Sequence, residues 1–411
     1  MKYYEILTIL IVICAVFAYV NARFIKLPPA IGIMILSLLS SLAIIIIGRT
    51  DPGFSALAVS MIKVIDFRTL LMQSMLGFLL FAGSVHIDVG MLKKERRQVA
   101  TLAVFSTLLS TGIVASLLYL VFQIAGFNIA FIYCLLFGAL ISPTDPIAVL
   151  SVLKTAGIPR SLEMKIAGES LFNDGIGVVI FATILEVAQT GISKLSGLDI
   201  VLLFIREAGG GILYGVILGY IGLMLLRRIN SYQVEVLITV AIVMGGYQLA
   251  SMLHISGPLA MVMAGLIIGS KSKGAVMSAN SRDYLNKFWE LIDEILNALL
   301  FMLMGFEMLV IPANEGIALV SVATVFIVLI ARWVSVAVPM VTFRFRNSFE
   351  NRAITILSWG GLKGGLSIAM ALSLPQEMYK DQFVAMTYTV VVFSIIVQGL
   401  SIGKIARRFN P

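Results

Sequence analysis

Charge is scarce in this sequence: Asp, Glu, Lys and Arg make up 13% of its 411 residues, where a soluble domain carries about 25%. Cysteine is nearly absent. Cys14 and Cys134 each sit inside an apolar run, which excludes a disulfide framework or a cysteine metal site. With two histidines, His86 and His254, a histidine metal cluster or a multi-histidine pH sensor is excluded as well. No soluble domain, linker or low-complexity tract breaks the chain, so there is no room for a nucleotide-binding module and the ATP-driven pump it would serve. What fills the sequence is apolar: 59% hydrophobic residues and a mean hydropathy of +1.01. A membrane helix needs about 20 mostly apolar residues, and the chain supplies that length many times over. The composition therefore predicts an all-α, polytopic integral membrane protein. The net charge of +8 reads as loop charge on a membrane protein and not as a nucleic-acid footprint.

Thirteen apolar segments are expected, at roughly 4–22, 28–48, 67–88, 98–124, 129–153, 164–190, 198–226, 232–252, 256–270, 284–311, 315–342, 351–375 and 382–403. The first reads as a retained span and not as a cleaved signal peptide, because Arg23 and Lys26 follow a long apolar run. Alternate loops gather 21 of the 30 Lys and Arg residues: Arg23 and Lys26, Lys93 to Arg97, Lys154 to Lys165, Arg227 and Arg228, Lys271 to Lys287, Arg344 to Arg352, and Lys404 to Arg408. The opposite side holds only Lys2, Arg49, Lys63, Arg68, Lys194 and Lys380. Positive charge marks the cytoplasmic side, so the expected topology has the N-terminus outside and the C-terminus in the cytoplasm.

Two spans carry helix breakers. The fifth contains Ser142-Pro143-Thr144-Asp145-Pro146, and the twelfth contains Gly360-Gly361-Leu362-Lys363-Gly364-Gly365. Being an odd number of spans apart, they cross in opposite senses. Paired interrupted helices in inverted repeats point to the ion site of a secondary transporter. Spans 1–6 and 8–13 are accordingly read as two inverted repeats joined by span 7, the whole of 1–411 forming one integral membrane unit.

A charge at the bilayer centre costs at least about 2.5–3.5 kcal/mol, so such residues are rare and functional by default. Asp145, Glu169, Asp174, Arg332 and Lys363 are the candidates. Glu186, Arg206, Glu207, Glu235 and Glu307 lie nearer span ends and read as solvated or snorkelling. Asp145 lies between two prolines, where the helix should unwind and free carbonyls such as that of Thr144 as hard oxygen ligands. Capping of the second half-helix is the plainer role for Asp145, and both can coexist. Gly168-Glu169-Ser170-Leu171-Phe172-Asn173-Asp174-Gly175 places Ser170 and Asp174 on one helix face and Glu169 and Asn173 on the next. That stretch is too polar to face lipid. The plainer alternative is a hydrogen-bond network that only holds helices together, a role that suits Glu169 better than Asp174. Glu169 and Arg332 make a candidate buried ion pair; Lys363 could balance half-helix ends or pair elsewhere.

A proton and a metal ion can each neutralise such a carboxylate, so they compete for it. If only the neutralised site crosses between inward- and outward-facing states, exchange follows without nucleotide or cofactor. A cation channel is the first rival class; inverted broken helices and a protonatable ligand favour alternating access. The second, a symporter for organic acids, would need an organic substrate pocket that the sequence does not suggest.

At these motifs the chain resembles the NhaP/NHE branch of the monovalent cation:proton antiporters. The matching strings run from Leu136 to Leu150 through the Pro-Thr-Asp-Pro break and from Gly168 to Gly175. Ser256-Gly257-Pro258-Leu259-Ala260, Arg332 and Ser358 to Ser367 support them. The resemblance implies a thirteen-helix fold with a dimerisation domain and a six-helix core that moves elevator-fashion, commonly as a homodimer. It implies an Na⁺/H⁺ site at Asp174, Asp145, Ser170 and the Thr144 carbonyl, with Glu169 and Arg332 as a structural ion pair. Asn173, standing just before the key aspartate, implies electroneutral exchange. Two departures stand out: Ala82 replaces an acidic residue that many relatives carry in the third span, and Lys363 replaces a more usual arginine. The expected activity is therefore non-enzymatic antiport of Na⁺ (or Li⁺) against H⁺ in a prokaryotic-type inner membrane. A K⁺/H⁺ or unselective exchanger is the alternative, since ligand type does not fix ion radius.

Overall fold

The computed structural model describes residues 3–64, 66–191, 196–229, 231–272, 277–311, 315–342 and 350–409. Of the charges used to orient the chain, Lys2, Lys194, Lys273, Arg344 and Arg346 lie outside the described residues. Every described regular element is helical, as expected for backbone that must satisfy its own hydrogen bonds in lipid. In chain order the elements are α1 Tyr3–Val20, α2 Pro29–Ile47, α3 Pro52–Val64, α4 Leu76–Val85, α5 Val89–Ile124, α6 Phe131–Ile141, α7 Ile147–Thr155 and α8 Arg160–Thr190. They continue with α9 Gly197–Leu226, α10 Tyr232–Met252, α11 Gly257–Ser272, α12 Ala279–Glu307, α13 Glu315–Thr342, α14 Glu350–Trp359, α15 Gly365–Leu372 and α16 Lys380–Arg408. Among the described residues, nine helices are long and apolar enough to cross a membrane.

Helix ends follow local chemistry. Asp88 caps α5 by accepting from the backbone N–H groups of Gly90 and Met91 at 2.9 and 3.2 Å, and Ser196 and Asp199 form a capping box at the start of α9. Proline interrupts the fifth span as expected: α6 stops before Pro143 and α7 starts after Pro146. The twelfth span likewise breaks between α14 and α15 across Gly360 to Gly364. The sequence reading omitted one helix, α3, whose flanking Asp51, Lys63 and Asp66 make the stretch look like a loop.

Three apolar clusters hold the bundle. One joins α6 to parts of α5, α8, α13, α15 and α16. A second joins α4, α9, α10, α11 and the first half of α12, and a third joins α1, α2, α7, α14 and the far half of α12. At the contact between α9 and α11 the backbones nearly touch. Gly211, Gly215 and Gly219 recur at one-turn spacing, and a Cβ on Gly215 would strike the backbone of Ala260. Close approach through small residues is how membrane helices gain dispersion contact without a hydrophobic drive. Trp289 of α12 is fully buried against Phe81, ring centroids 4.7 Å apart, and its indole N–H donates to the Thr239 hydroxyl at 3.1 Å.

Candidate functional site

The two interrupted spans meet at their breaks. There the backbone N–H of Asp145 donates to the carbonyl of Leu362 at 2.8 Å, a single antiparallel bridge between two unwound stretches. The ammonium of Lys363 donates to the carbonyls of Ser142 and Pro143 at 2.8 and 3.1 Å. These are freed carbonyls at the C-terminal end of α6, where the helix dipole is negative, so a buried cation there is satisfied twice over. Of the two roles left open for Lys363, these contacts suit balancing a half-helix end. The position is 2% exposed, so Lys363→Gln would keep one hydrogen bond and lose the charge. We expect about a 1–3 kcal/mol loss of stability, read as a lower unfolding midpoint of the detergent-solubilised protein.

On the other side of the break, the Asp145 carboxylate accepts from the backbone N–H of Ile147 at 2.9 Å. Asp145 thus holds the first N–H of α7 from just before the helix. Gly364 of the partner stretch faces that carboxylate so closely that a Cβ would overlap it. Gly364→Ala should therefore push the Asp145 side chain aside and cut flux at least about tenfold with little change in expression; liposome flux assays against a western blot check this.

Helix α8 supplies the rest. Asn173 clamps the unwound Thr144 at two points: its Oδ1 accepts from the Thr144 backbone N–H at 3.2 Å and its Nδ2 donates to the Thr144 hydroxyl at 2.8 Å. The hydroxyls of Ser170 and Thr144 lie 3.1 Å apart. Thr144, Ser170 and Asn173 are all buried. Asp174 lines a cavity of about 1170 Å³ together with Asp145, Pro143 and Gly364. The i, i+4, i+7 stripe of α8 on that wall is Ala167, Leu171 and Asp174. The structure thus brings Asp145 and Asp174 to one cavity and sets Thr144, Ser170 and Asn173 in a hydrogen-bonded layer behind its wall.

Glu169 leaves α8 on a third side. Its Oε1 accepts from Nη1 of Arg332 at 2.5 Å, with both side chains buried, and Nη2 of Arg332 donates to the Leu357 carbonyl at 3.0 Å. The pair ties α8 to α13 and to the end of α14, beside the second break. Ala82, standing where many relatives carry an acid, is fully buried, so α4 offers no carboxylate to the cavity from that position.

The sequence reading missed part of the cavity. Glu290, Asp293 and Glu294 of α12 line it, as do Asn286 and Asn297. The signal was present as a polar row at 286, 290, 293 and 297, which is helical spacing for one face. Among the described residues no three His, Cys, Asp or Glu side chains converge as a metal cluster.

Known proteins resemble this chain over nearly its whole length. The family model described as sodium/hydrogen exchanger, transmembrane, matches residues 9–408. The chain is 46% identical to the Na(+)/H(+) antiporter NhaP of Pseudomonas aeruginosa, over 98% of this chain and 96% of that protein. It is 31% identical to the Na(+)/H(+) antiporter NhaH of Halobacillus dabanensis, over 99% and 97% of the two chains. Its fold superposes on the sodium proton antiporter MjNhaP1 of Methanocaldococcus jannaschii, solved at pH 8, with a TM-score of 0.75 at 18% identity, covering 99% of both chains. The chain belongs to the sodium/hydrogen exchanger family, and within it to the NhaP type.

Proposed function

We propose that this protein is a secondary antiporter that exchanges Na⁺ (or Li⁺) for H⁺ at the Asp174–Asp145 site. One observation carries the reading: both aspartates reach the cavity, while the buried cations around them are already engaged. Arg332 is bound to Glu169 and Lys363 to two carbonyls. Two carboxylates stand against the one ammonium of Lys363, which the carbonyls bond but do not neutralise, so a net negative charge is left for a mobile ion, proton or metal. Relatives named as Na(+)/H(+) antiporters support sodium as the metal.

Competition then supplies the coupling. A carboxylate that holds a proton cannot hold Na⁺, and an unneutralised site is the costliest state to carry through lipid. Asn173, whose amide is spent on Thr144, has no titratable group, which supports electroneutral one-for-one exchange. The remaining parts of the proposal are thirteen crossings, elevator-type movement of the core, a homodimer, and an inner membrane location with the C-terminus cytoplasmic.

The test is collapse of an imposed pH gradient in proteoliposomes, with Na⁺, Li⁺ and K⁺ added separately. Saturable responses to Na⁺ and Li⁺ without a membrane current support the reading. An equal response to K⁺ reassigns the ion, and single-channel currents overturn antiport.

A further inference from the structure

The unwound stretch of the twelfth span has backbone groups of its own to satisfy, and α16 meets two of them with uncharged side chains. Over Ser394–Gln398 the backbone of α16 loosens into a π-helical turn, a rare form that gathers at functional sites. The Ser394 hydroxyl there accepts from the backbone N–H of Lys363 at 3.0 Å. The Gln398 amide nitrogen donates to the carbonyl of Trp359, the last residue of α14, at 3.0 Å. With the nitrogen turned to that carbonyl, the amide oxygen faces Ser394, whose O–H donates to it at 2.7 Å. This relay spans the break from Trp359 to Lys363. Ser394, Gln398 and Lys363 are all buried, so the bonds are made away from competing water. Asn173 of α8 does for the first break what Ser394 does for the second, by receiving the backbone N–H of Thr144. The stretch that Ser394 holds is the one that borders Asp145. Leu362 accepts the Asp145 N–H, the Lys363 ammonium holds the two carbonyls before Thr144, and Gly364 lies against the Asp145 carboxylate. Neither Ser394 nor Gln398 lines the cavity, so they act on an ion there only through that stretch.

We propose that Ser394 and Gln398 are positioning residues for sodium: by fixing the backbone at Lys363 they set where the Asp145 carboxylate stands, and so how tightly the Asp174–Asp145 site holds Na⁺. The role rests on the exchange reading for the ion and for the two aspartates. A metal ion needs several oxygens at fixed distances, whereas a proton needs one. Loosening the break therefore weakens sodium more than the proton, and the maximal rate holds once sodium saturates the site.

The test is sodium-driven collapse of a pH gradient in proteoliposomes, followed across Na⁺ concentration for wild type, Ser394→Ala, Gln398→Met and Ser401→Ala. Ser401 is the control. It lies on the same helix and also bonds α14, but through the Trp359 indole N–H at 2.8 Å and not through the backbone of the break. We expect Ser394→Ala to raise the apparent KM for Na⁺ about tenfold, with a maximal rate within about twofold of wild type. Gln398→Met, which leaves the Ser394 hydroxyl in place but unanchored, should raise KM about threefold, and the control should keep the wild-type KM. A merely structural role would lower the amount of folded carrier, hence the maximal rate, at constant KM; that result, or an equal KM rise in Ser401→Ala, overturns the positioning role. Should Ser394→Ala fail to reach the membrane, Gln398→Met decides by the same readings. Binding is read separately from the rise in unfolding midpoint of each purified protein as NaCl replaces choline chloride. Ser394→Ala needing about tenfold more Na⁺ for the same rise supports the role; a curve that overlies wild type overturns it. Wild type that carries no sodium flux defeats the exchange reading, and the midpoint curves still decide the positioning role; a wild-type midpoint that sodium does not move overturns both.

Discussion

Proteoliposomes carrying Asp174→Asn will lose sodium-driven collapse of a pH gradient, by at least about 100-fold, equivalent to roughly 3 kcal/mol in the barrier. The substitution changes almost no volume. Among the described residues Asp174 makes no hydrogen bond that an amide would break, and it lines the cavity. What the amide cannot do is alternate between a protonated and a metal-bound state. Folding should survive, as gel filtration in detergent will show. Asp145→Asn gives a sharper version of the same test. Asparagine is as good a helix cap as aspartate, so the bond from the Ile147 N–H to the side chain is kept while the charge disappears. Transport should fall with no loss of thermal stability. A variant of either position that exchanges sodium for protons at the wild-type rate would sink the proposed site.

Arg332→Met will strongly destabilise the bundle. Glu169 is 1% exposed and Arg332 is 6% exposed, and they face each other at 2.5 Å. Removing the arginine leaves a buried carboxylate without its counter-charge and the Leu357 carbonyl without its donor. Breaking a buried pair in this way costs about 3–5 kcal/mol, enough to remove most of the marginal stability of a typical protein. Little protein should reach the membrane fraction. The double variant Glu169→Gln/Arg332→Met should recover part of that loss, because it removes both charges together. A thermal-shift series on the singles and the double closes the cycle; simple additivity would mean that the two side chains do not stabilise each other.

Much of this arrangement could be read ahead of the structure, because its causes are local. Pro143 and Pro146 must break a helix wherever it lies, and Gly360 to Gly364 weaken one. Glu169, Asp174 and Arg332 stand out because a charge is costly in an apolar run. Lys363 stood out for the same reason, yet its partners did not. Backbone carbonyls have no residue signature, so only the three-dimensional crossing reveals that Ser142 and Pro143 receive its ammonium. The division of α8 into a cavity side and a buried side was half legible. Spacing puts Ser170 and Asp174 near one face, but which of the two borders the cavity depends on how α8 lies against the break, and Gly177 packed on the Pro143 ring helps set that. The acidic row of α12 was missed for a different reason. Its first half is polar and its second half apolar, so a hydropathy reading takes it as a span with charged ends and passes over its face. Helix α3 was missed because charged flanks and modest hydropathy resemble a surface loop.

The bridge between Asp145 and Leu362 has a mechanical meaning. With the Lys363 ammonium on the opposite strand's carbonyls, it bolts the two broken spans into one body at their point of contact. In the proposed exchange, the displacement that carries the ion across would move that body whole, since shearing it would strand a buried ammonium and an amide. The coordination sphere then travels intact and is the same at the start and the finish of the journey. Such a carrier has no built-in preference for import over export, and the concentrations on the two sides choose its direction.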